Sequence, residues 1–260
     1  MFDQGTGPPL IVIPGVQGRW EWMMPALREL QKHCRTVTYT LCGDIGSGMR
    51  FDPALGFDNF IRQLDAVFEE TGIERAAVCG VSYGGFIALR YAAMRPERVS
   101  RLILVSAPAP GWVPSERQRS YLDHPWLSAP RFVLTSPRRV WPEIHAAYDT
   151  WPERLLFSAR HGARVAAAPM IPPIMAARVR LQQSLDFGPD CALVKAPTLV
   201  VTGDDELDFV VPAEVTRRYL TLIPGAQYVK IERSGHIGLL TRPRKFAEIV
   251  DGFLRHLCRH

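Results

Sequence analysis

Residues 79–85 read Cys79-Gly80-Val81-Ser82-Tyr83-Gly84-Gly85 and separate a short apolar run, residues 76–79, from an amphipathic helical pattern over residues 86–94. A serine on a sharp turn between a strand and a helix presents its hydroxyl at the carboxyl edge of a sheet, where it can act as a nucleophile. Gly80 and Gly84 lack a Cβ, so strand and helix can approach while Ser82 takes a positive φ, a strain of about 1–3 kcal/mol. The segment therefore predicts a nucleophilic serine at residue 82.

An ordinary serine in a glycine-rich turn would give the same five-residue pattern, so the rest of the chain has to supply its partners. His236 lies in the segment Arg233-Ser234-Gly235-His236-Ile237-Gly238, between a strand-like run at 228–231 and a C-terminal helical pattern over 241–257. A histidine on such a loop can reach back over the sheet edge and take the proton of the serine hydroxyl. We therefore predict His236 as the general base.

A carboxylate that orients the imidazole is expected on the loop after the apolar run 198–202, which reads Asp204-Asp205-Glu206-Leu207-Asp208. Such a carboxylate accepts a hydrogen bond from the second ring nitrogen and stabilises the imidazolium. The four acidic residues of this loop compete for the role.

The order serine, acid, histidine is that of the α/β-hydrolases, and the sequence resembles this superfamily over nearly its whole length. Residues 9–15, Pro9-Leu10-Ile11-Val12-Ile13-Pro14-Gly15, resemble its first core strand and oxyanion turn, and residues 94–99 resemble the end of its nucleophile helix. The resemblance implies a serine esterase-like branch with a helical cap. The haloalkane dehalogenase branch carries an aspartate at the position of Ser82 and is set aside.

The resemblance also assigns two further roles. Backbone amides of Val16 and Tyr83 would form the oxyanion hole, although Pro14 stands where many relatives carry histidine. Measured back from Pro212, Asp208 occupies the acid position of the family, in a loop two residues longer than usual. Asp208 is therefore the preferred acid, and Asp205 remains the alternative.

Substrate contacts are expected from residues near the predicted turns and the cap. The candidates are Gln17, Trp20, Trp112, Val210 and Ile237. The tryptophans after the first turn could equally pack the first helix against the sheet. A lone cap arginine (Arg164, Arg178 or Arg180) could bind a substrate carboxylate.

Apolar runs and helical patterns alternate along the chain, which predicts an α/β fold with a mostly parallel sheet and helices on both faces. Six strands are expected, near 10–13, 36–41, 75–79, 100–105, 198–202 and 227–231, with helices near 20–32, 57–71, 83–94, 212–221 and 241–257. Only about nine residues precede the first of these strands, so the N-terminal hairpin of the superfamily is predicted to be missing.

The alternation stops between residues 107 and 190, a stretch with four of the six tryptophans: Trp112, Trp126, Trp141 and Trp151. By resemblance this is a helical cap over the site, with helices near 115–122, 137–149, 151–163 and 170–186. The predicted division is a core of residues 1–107 and 190–260 and a cap of residues 108–189. The tryptophans form the small core of the cap or face the pocket, and an aromatic lid favours an apolar substrate.

Composition restricts the other functional classes to which the protein could belong. The 260 residues are 47% hydrophobic and 22% charged with a net charge of +5, and no run of five basic residues occurs, so nucleic-acid binding is not predicted. The five scattered cysteines (Cys34, Cys42, Cys79, Cys191, Cys258) are expected to be free thiols. No secretory signal and no 18-residue apolar span is found, so a cytoplasmic location without a membrane span is predicted. Neither metal nor organic cofactor is implied.

Taken together, these observations predict a serine hydrolase that cleaves a small-to-medium apolar ester through an acyl-enzyme, with Ser82, Asp208 and His236 as the triad. The same triad would serve a lactone, thioester or carbon–carbon bond hydrolase. A ligand-binding protein that kept the fold and lost turnover is the alternative from another class. The oligomeric state is left open.

Overall fold

The computed structural model describes residues 1–255, apart from the side chain of Arg117. Cys258 and the last two residues of the predicted C-terminal helix, 256 and 257, lie outside this range. The other four cysteines are buried free thiols. None of the helices between residues 1 and 255 is long and apolar enough to cross a membrane.

A seven-stranded sheet forms the centre of the molecule, with the strand order β1-β3-β2-β4-β5-β6-β7. The edge strand β1 is antiparallel to β3, and all other neighbours are parallel. The predicted α/β class with a mostly parallel sheet is thus confirmed. The strands are β1 Phe2–Gln4, β2 Pro9–Ile13, β3 Arg35–Thr38, β4 Ala76–Val81, β5 Val99–Val105, β6 Thr198–Thr202 and β7 Gln227–Lys230.

The predicted count of six strands was one too low. Phe2–Gln4 adds an edge strand, which pairs with β3 rather than with β2, so these N-terminal residues form no hairpin with the strand that follows them. The missed strand is only three residues long. Its pairing depends on β3, about thirty residues further along the chain, and not on local pattern.

Each central strand divides its side chains between two cores. Ile11 and Ile13 of β2 face one cluster of buried residues, whereas Leu10 and Val12 face the other. This alternation follows from the two-residue period of a strand. Because both faces are covered, β4 is buried along all six of its residues, as expected for a central parallel strand.

Helices cover both faces of the sheet. Side chains of α2, α3 and α8 belong to the first cluster, and those of α1 and α12 to the second. The helices are α1 Met24–Leu30, α2 Asp58–Thr71, α3 Gly84–Met94, α4 Glu116–Asp123, α5 Pro125–Ala147, α6 Trp151–Ala167, α7 Pro172–Gln183, α8 Gly188–Leu193, α9 Ala213–Arg217, α10 Tyr219–Leu222, α11 Gly238–Thr241 and α12 Pro243–Arg255, with short 3₁₀ turns at Trp20–Met23 and Pro53–Leu55.

Five of these helices, α4 to α8, lie between β5 and β6 in the chain, and we refer to the first four, α4 to α7, as the helical insertion. The predicted start of its second helix at residue 137 was wrong, since α5 already begins at Pro125 and contains Pro130, Pro137 and Pro142. Proline normally ends helical patterns, which explains the error. The helix α5 nevertheless continues through all three prolines. Side chains of this helix hydrogen-bond its own carbonyls, for example the hydroxyl of Ser136 that donates to the carbonyl oxygen of Phe132.

The predicted close approach of strand and helix at the Ser82 turn is confirmed. A Cβ on Gly80 would lie 2.4 Å from the carbonyl oxygen of Gly84, and one on Gly84 would lie 2.5 Å from the carbonyl oxygen of Ile13. Backbone atoms occupy both positions, so neither clash can be relieved by a rotamer change. The two glycines let α3 start directly against β4 and β2.

We expect Gly80→Ala to lower the free energy of unfolding by about 1–3 kcal/mol or more, because the new methyl group meets backbone. The matched control is Gly162→Ala in α6, where a Cβ meets nothing within 4 Å. That substitution should raise stability by up to about 1 kcal/mol, since alanine favours helix over glycine. Urea unfolding followed by circular dichroism measures both changes, and equal stability of the two variants would contradict the packing described.

Candidate active site

Ser82 follows the last residue of β4 and has a φ of +51°, in the left-handed region that non-glycine residues rarely adopt. The backbone holds this conformation from both sides. The Ser82 amide donates to the carbonyl of Val105 at 2.8 Å, and the Ser82 carbonyl accepts from the amide of Gly85 at 2.9 Å. The strained turn therefore fixes the hydroxyl at the carboxyl edge of the sheet.

Three side chains that are distant in sequence meet at this edge. The Nε2 atom of His236 lies 3.2 Å from Oγ of Ser82, and its Nδ1 atom lies 3.1 Å from Oδ2 of Asp208. Asp208 and His236 follow β6 and β7, so parallel strands bring all three loops to one edge. Both distances are within hydrogen-bonding range, as required between a nucleophile and its base and between that base and an orienting group.

Asp208 is the acid that reaches the histidine, whereas Asp204 and Asp205 have other partners. Its side chain is fully buried, and Oδ1 accepts from the amides of Val210 and Val211 at 3.0 and 2.9 Å. Asp205 instead forms an ion pair with Arg217 at the surface. Asp204 accepts from the amide of Arg233. Two backbone donors thus hold Asp208 in place and leave Oδ2 for the imidazole.

The electrostatic surroundings of His236 favour its protonated form. Burial by itself would lower the pKa of His236, but the charge and hydrogen bond of Asp208 and the charge of Glu143 outweigh it, so the pKa is raised above the ordinary value of 6.5. An imidazole in this setting accepts a proton readily.

The predicted oxyanion residues lie beside the serine. Val16 and Tyr83 line the same cavity as Ser82, and a Cβ on Gly15 would be 3.4 Å from Cβ of Ser82. Among residues 1–255 neither the Val16 amide nor the Tyr83 amide has an acceptor. Two amides without an acceptor in the described part of the chain therefore belong to residues that line the cavity at Ser82.

A buried ion pair holds the loop that carries Val16. Arg178 of α7 contacts Asp44 with 2.5 Å between Nη2 and Oδ2, and the two side chains are 3% and 1% exposed. Arg178 also donates to the carbonyl of Val16 at 2.9 Å and to that of Cys42 at 3.0 Å. These contacts occupy both terminal nitrogens of its guanidinium, and Arg178, Arg164 and Arg180 all lie outside the cavity lining.

A cavity of about 410 Å³ opens at Ser82 and is roofed by the helical insertion. Trp112 and Val210, two of the predicted substrate contacts, line it. Its described side chains are mostly apolar or aromatic, with a few neutral polar groups such as Gln118 and Gln182, and none is charged. The cavity therefore suits a neutral apolar molecule.

The other three predicted contacts are placed elsewhere. Trp20 packs on Phe2 with 5.6 Å between ring centroids and belongs to the core beneath α1. Gln17 and Ile237 also lie outside the lining of the cavity. Local sequence placed these residues near functional turns but could not show which way they face.

Sequence reasoning missed two groups of residues at the site. Phe132, Met170 and Met175 of the insertion line the cavity, and Glu143 contacts the loop of His236. The cavity residues give no distinguishing pattern in an insertion that is apolar and proline-rich throughout. For Glu143 one signal was present, since it stands between the apolar pair Trp141-Pro142 and the apolar residue Ile144.

The comparisons with known proteins agree with the fold. The model of the alpha/beta hydrolase family matches residues 10–249. Among curated proteins, the chain is similar to a 2-hydroxy-6-oxo-2,4-heptadienoate hydrolase of Pseudomonas putida, with 28% identity over 271 residues that cover 98% of this chain and 91% of the relative.

Two solved structures share the fold. An esterase from Exiguobacterium antarcticum has a TM-score of 0.78 at 20% identity, covering 98% of this chain and 94% of that one. An enol-lactonase from Burkholderia xenovorans LB400 has a TM-score of 0.76 at 20% identity, covering 97% and 95%. At this identity the two likenesses show the fold alone.

We expect Arg178→Met to lower the free energy of unfolding by about 3–5 kcal/mol, because it leaves the carboxylate of Asp44 buried without its partner. The control is Lys32→Gln, which removes an ion pair with Glu29 whose lysine is 56% exposed and should cost less than about 1 kcal/mol. Urea unfolding measures both. A loss below about 1 kcal/mol for Arg178→Met would contradict the role assigned to the buried pair.

Proposed function

Since this chain belongs to the alpha/beta hydrolase family, we propose that it is a serine hydrolase that cleaves a small-to-medium apolar carboxylic ester through an acyl-enzyme. One observation carries the proposal: His236 lies within hydrogen-bonding distance of both Ser82 and Asp208. A serine hydroxyl becomes a strong nucleophile only when a base removes its proton during attack.

In the acylation step, Oγ of Ser82 attacks the ester carbonyl carbon while Nε2 of His236 takes the hydroxyl proton. Asp208 accepts from Nδ1 and so leaves Nε2 free to act as the base. The negative charge on the carbonyl oxygen is stabilised by the amides of Val16 and Tyr83, a contribution of about 2.7–4 kcal/mol for each donor. The tetrahedral intermediate then collapses, and the imidazolium gives its proton to the departing alcohol.

Deacylation repeats these steps with water. His236 removes a proton from the attacking water, whose oxygen adds to the acyl carbon of the ester formed on Ser82. Collapse of the second intermediate returns the proton to Oγ and releases the carboxylic acid. Each half of the reaction thus passes one proton through the same imidazole, and the cycle ends with Ser82 and His236 restored.

The cavity supports the choice of substrate. A charged substrate would lose its hydration without gaining a charged partner among the described lining residues. An apolar acyl or alcohol group gains by burial against residues such as Trp112 and Phe132. We further propose that residues 108–189 act as a cap, which excludes water from the acyl-enzyme and shapes the pocket.

A carbon–carbon bond hydrolase is the second candidate, because the curated relative at 28% identity carries the name of a heptadienoate hydrolase. A dienoate is an anion, and the uncharged described lining favours the neutral ester over it. A lactone or thioester presents the same acyl carbon to Ser82 and would need no change in the roles given above.

A fluorophosphonate probe tests the nucleophile, since it phosphonylates an activated serine. We expect labelling of the wild type and none of Ser82→Ala, together with turnover of p-nitrophenyl esters by the wild type and a loss of at least about 10³-fold in the variant. Esters of graded chain length then define the pocket. An unlabelled wild type would support a binding protein, and labelling without ester turnover would favour the lactone or carbon–carbon reaction.

The acid is tested by comparing Asp208→Asn with Asp205→Asn. The first should lower kcat by as much as about 10⁴-fold, because an amide cannot stabilise the imidazolium and favours the wrong tautomer. The second removes only a surface ion pair with Arg217 and should change activity by no more than about twofold. Rates on p-nitrophenyl esters decide between them, and the reverse ranking would overturn the assignment.

A further inference from the structure

Glu143 is a buried carboxylate that the proposed reaction does not use. It lies near the end of α5, is 1% exposed, and is the one acidic residue in that helix. Removing a carboxylate from water costs several kcal/mol unless hydrogen bonds or an opposite charge compensate. The partners of Glu143 therefore indicate what it does.

These partners belong to the chain segment around His236. The amide of Ile237 donates to Oε2 at 3.0 Å, and the hydroxyl of Thr241 donates to Oε1 at 2.9 Å. The amide of Gly235 also hydrogen-bonds the carboxylate. Glu143 thus holds the backbone on both sides of His236.

The loop is built to admit this carboxylate. A Cβ on residue 235 would lie 2.9 Å from Oε2 of Glu143 and 2.2 Å from the carbonyl oxygen of Leu207. Only glycine lets the backbone pass between the helical insertion and the loop of the acid. The contact is therefore a close backbone-to-carboxylate fit rather than a loose side-chain pair.

We propose that Glu143 is a positioning residue for His236, which fixes the histidine loop and adds a second negative charge that stabilises the imidazolium. This inference rests on the proposed function, because it assigns Glu143 a task in the reaction of Ser82. It extends that function by making α5 hold the base as well as line the cavity, since Phe132 of the same helix lies in the lining.

Several other titratable or charged groups surround this contact. Asp208 faces His236 from the loop after β6. Arg233 pairs with Asp149 and its amide donates to Asp204, and Tyr148 lies near both Glu143 and Arg242. Burial raises the pKa of Glu143, while its three donors oppose that shift. Asp208 and then Glu143 supply the negative charges that raise the pKa of His236.

The experiment measures the second-order rate constant for fluorophosphonate labelling of Ser82 as a function of pH, in the wild type and in Glu143→Gln. Labelling needs neutral His236, so the rate rises with pH as the imidazolium loses its proton. Without the charge of Glu143 that proton is held less tightly. We expect the midpoint to move to lower pH and the plateau rate to fall by about 10-fold or more, because even a small displacement of a catalytic group costs as much as about 10²-fold in rate.

The matched control is Asp149→Asn, which removes an exposed carboxylate that contacts Arg233 of the same loop. Its labelling profile should keep the midpoint and plateau of the wild type. An equal shift in this variant would overturn the proposal, because the effect would then be a general response to lost charge. So would an unshifted midpoint in Glu143→Gln with the protein folded by circular dichroism, since a purely structural contact leaves the proton affinity of His236 unchanged.

If Glu143→Gln does not fold, Thr241→Val carries the test, because it removes one of the three donors and keeps the carboxylate. Slower labelling at every pH is expected, and labelling as fast as the wild type would overturn the proposal.

Failure of the proposed function has a different signature. The wild type itself would then not be labelled, whereas failure of the Glu143 inference leaves a labelled wild type.

Discussion

The contact of β4 with α3 at Gly80 and Gly84 is the constraint on which the site depends. Backbone atoms occupy the places that a Cβ on either glycine would need. The chain can therefore turn from strand to helix within two residues, and Ser82 is held at a φ of +51°. The same approach brings the start of α3 against the end of β2, from which the Val16 loop leaves. Ser82 and the two proposed oxyanion donors are thereby positioned by one packing interaction.

Two buried charges from the helical insertion hold the loops around this centre. Arg178 holds the loop of Val16 through an ion pair with Asp44 and hydrogen bonds to backbone carbonyls. Glu143 holds the loop of His236 by accepting a hydrogen bond from its backbone. Each charge lies in a low-dielectric interior, where an unpaired ion would be costly, so the loops gain defined positions from it. The insertion thus contributes to the geometry of the reacting groups as well as to the cavity.

Local structure could be predicted from the sequence where the residues of a short segment restrict its backbone geometry. The glycines around Ser82 require a tight strand-to-helix turn, and the segments around Ser82 and His236 named these two residues before any distance was known. The order of serine, acid and histidine left four acidic residues open, and only the family resemblance favoured Asp208. The six main strands followed from apolar runs bounded by turns. The short β1 strand and the early start of α5 were missed, because pairing with a distant strand and the side-chain bonds within the helix outweigh local signals.

The sequence by itself determined the α/β class, the order of the elements and the candidates Ser82 and His236, since each depends on neighbours in the chain. For the acid it left Asp205 open beside Asp208. Only the tertiary structure decided that Trp112 faces the cavity while Trp20 is packed in the core. It alone brought Glu143 into contact with Ile237 and Thr241, which lie 94 and 98 positions further along the chain. Side-chain direction and long-range burial arise from the packing of whole elements, which no local pattern encodes.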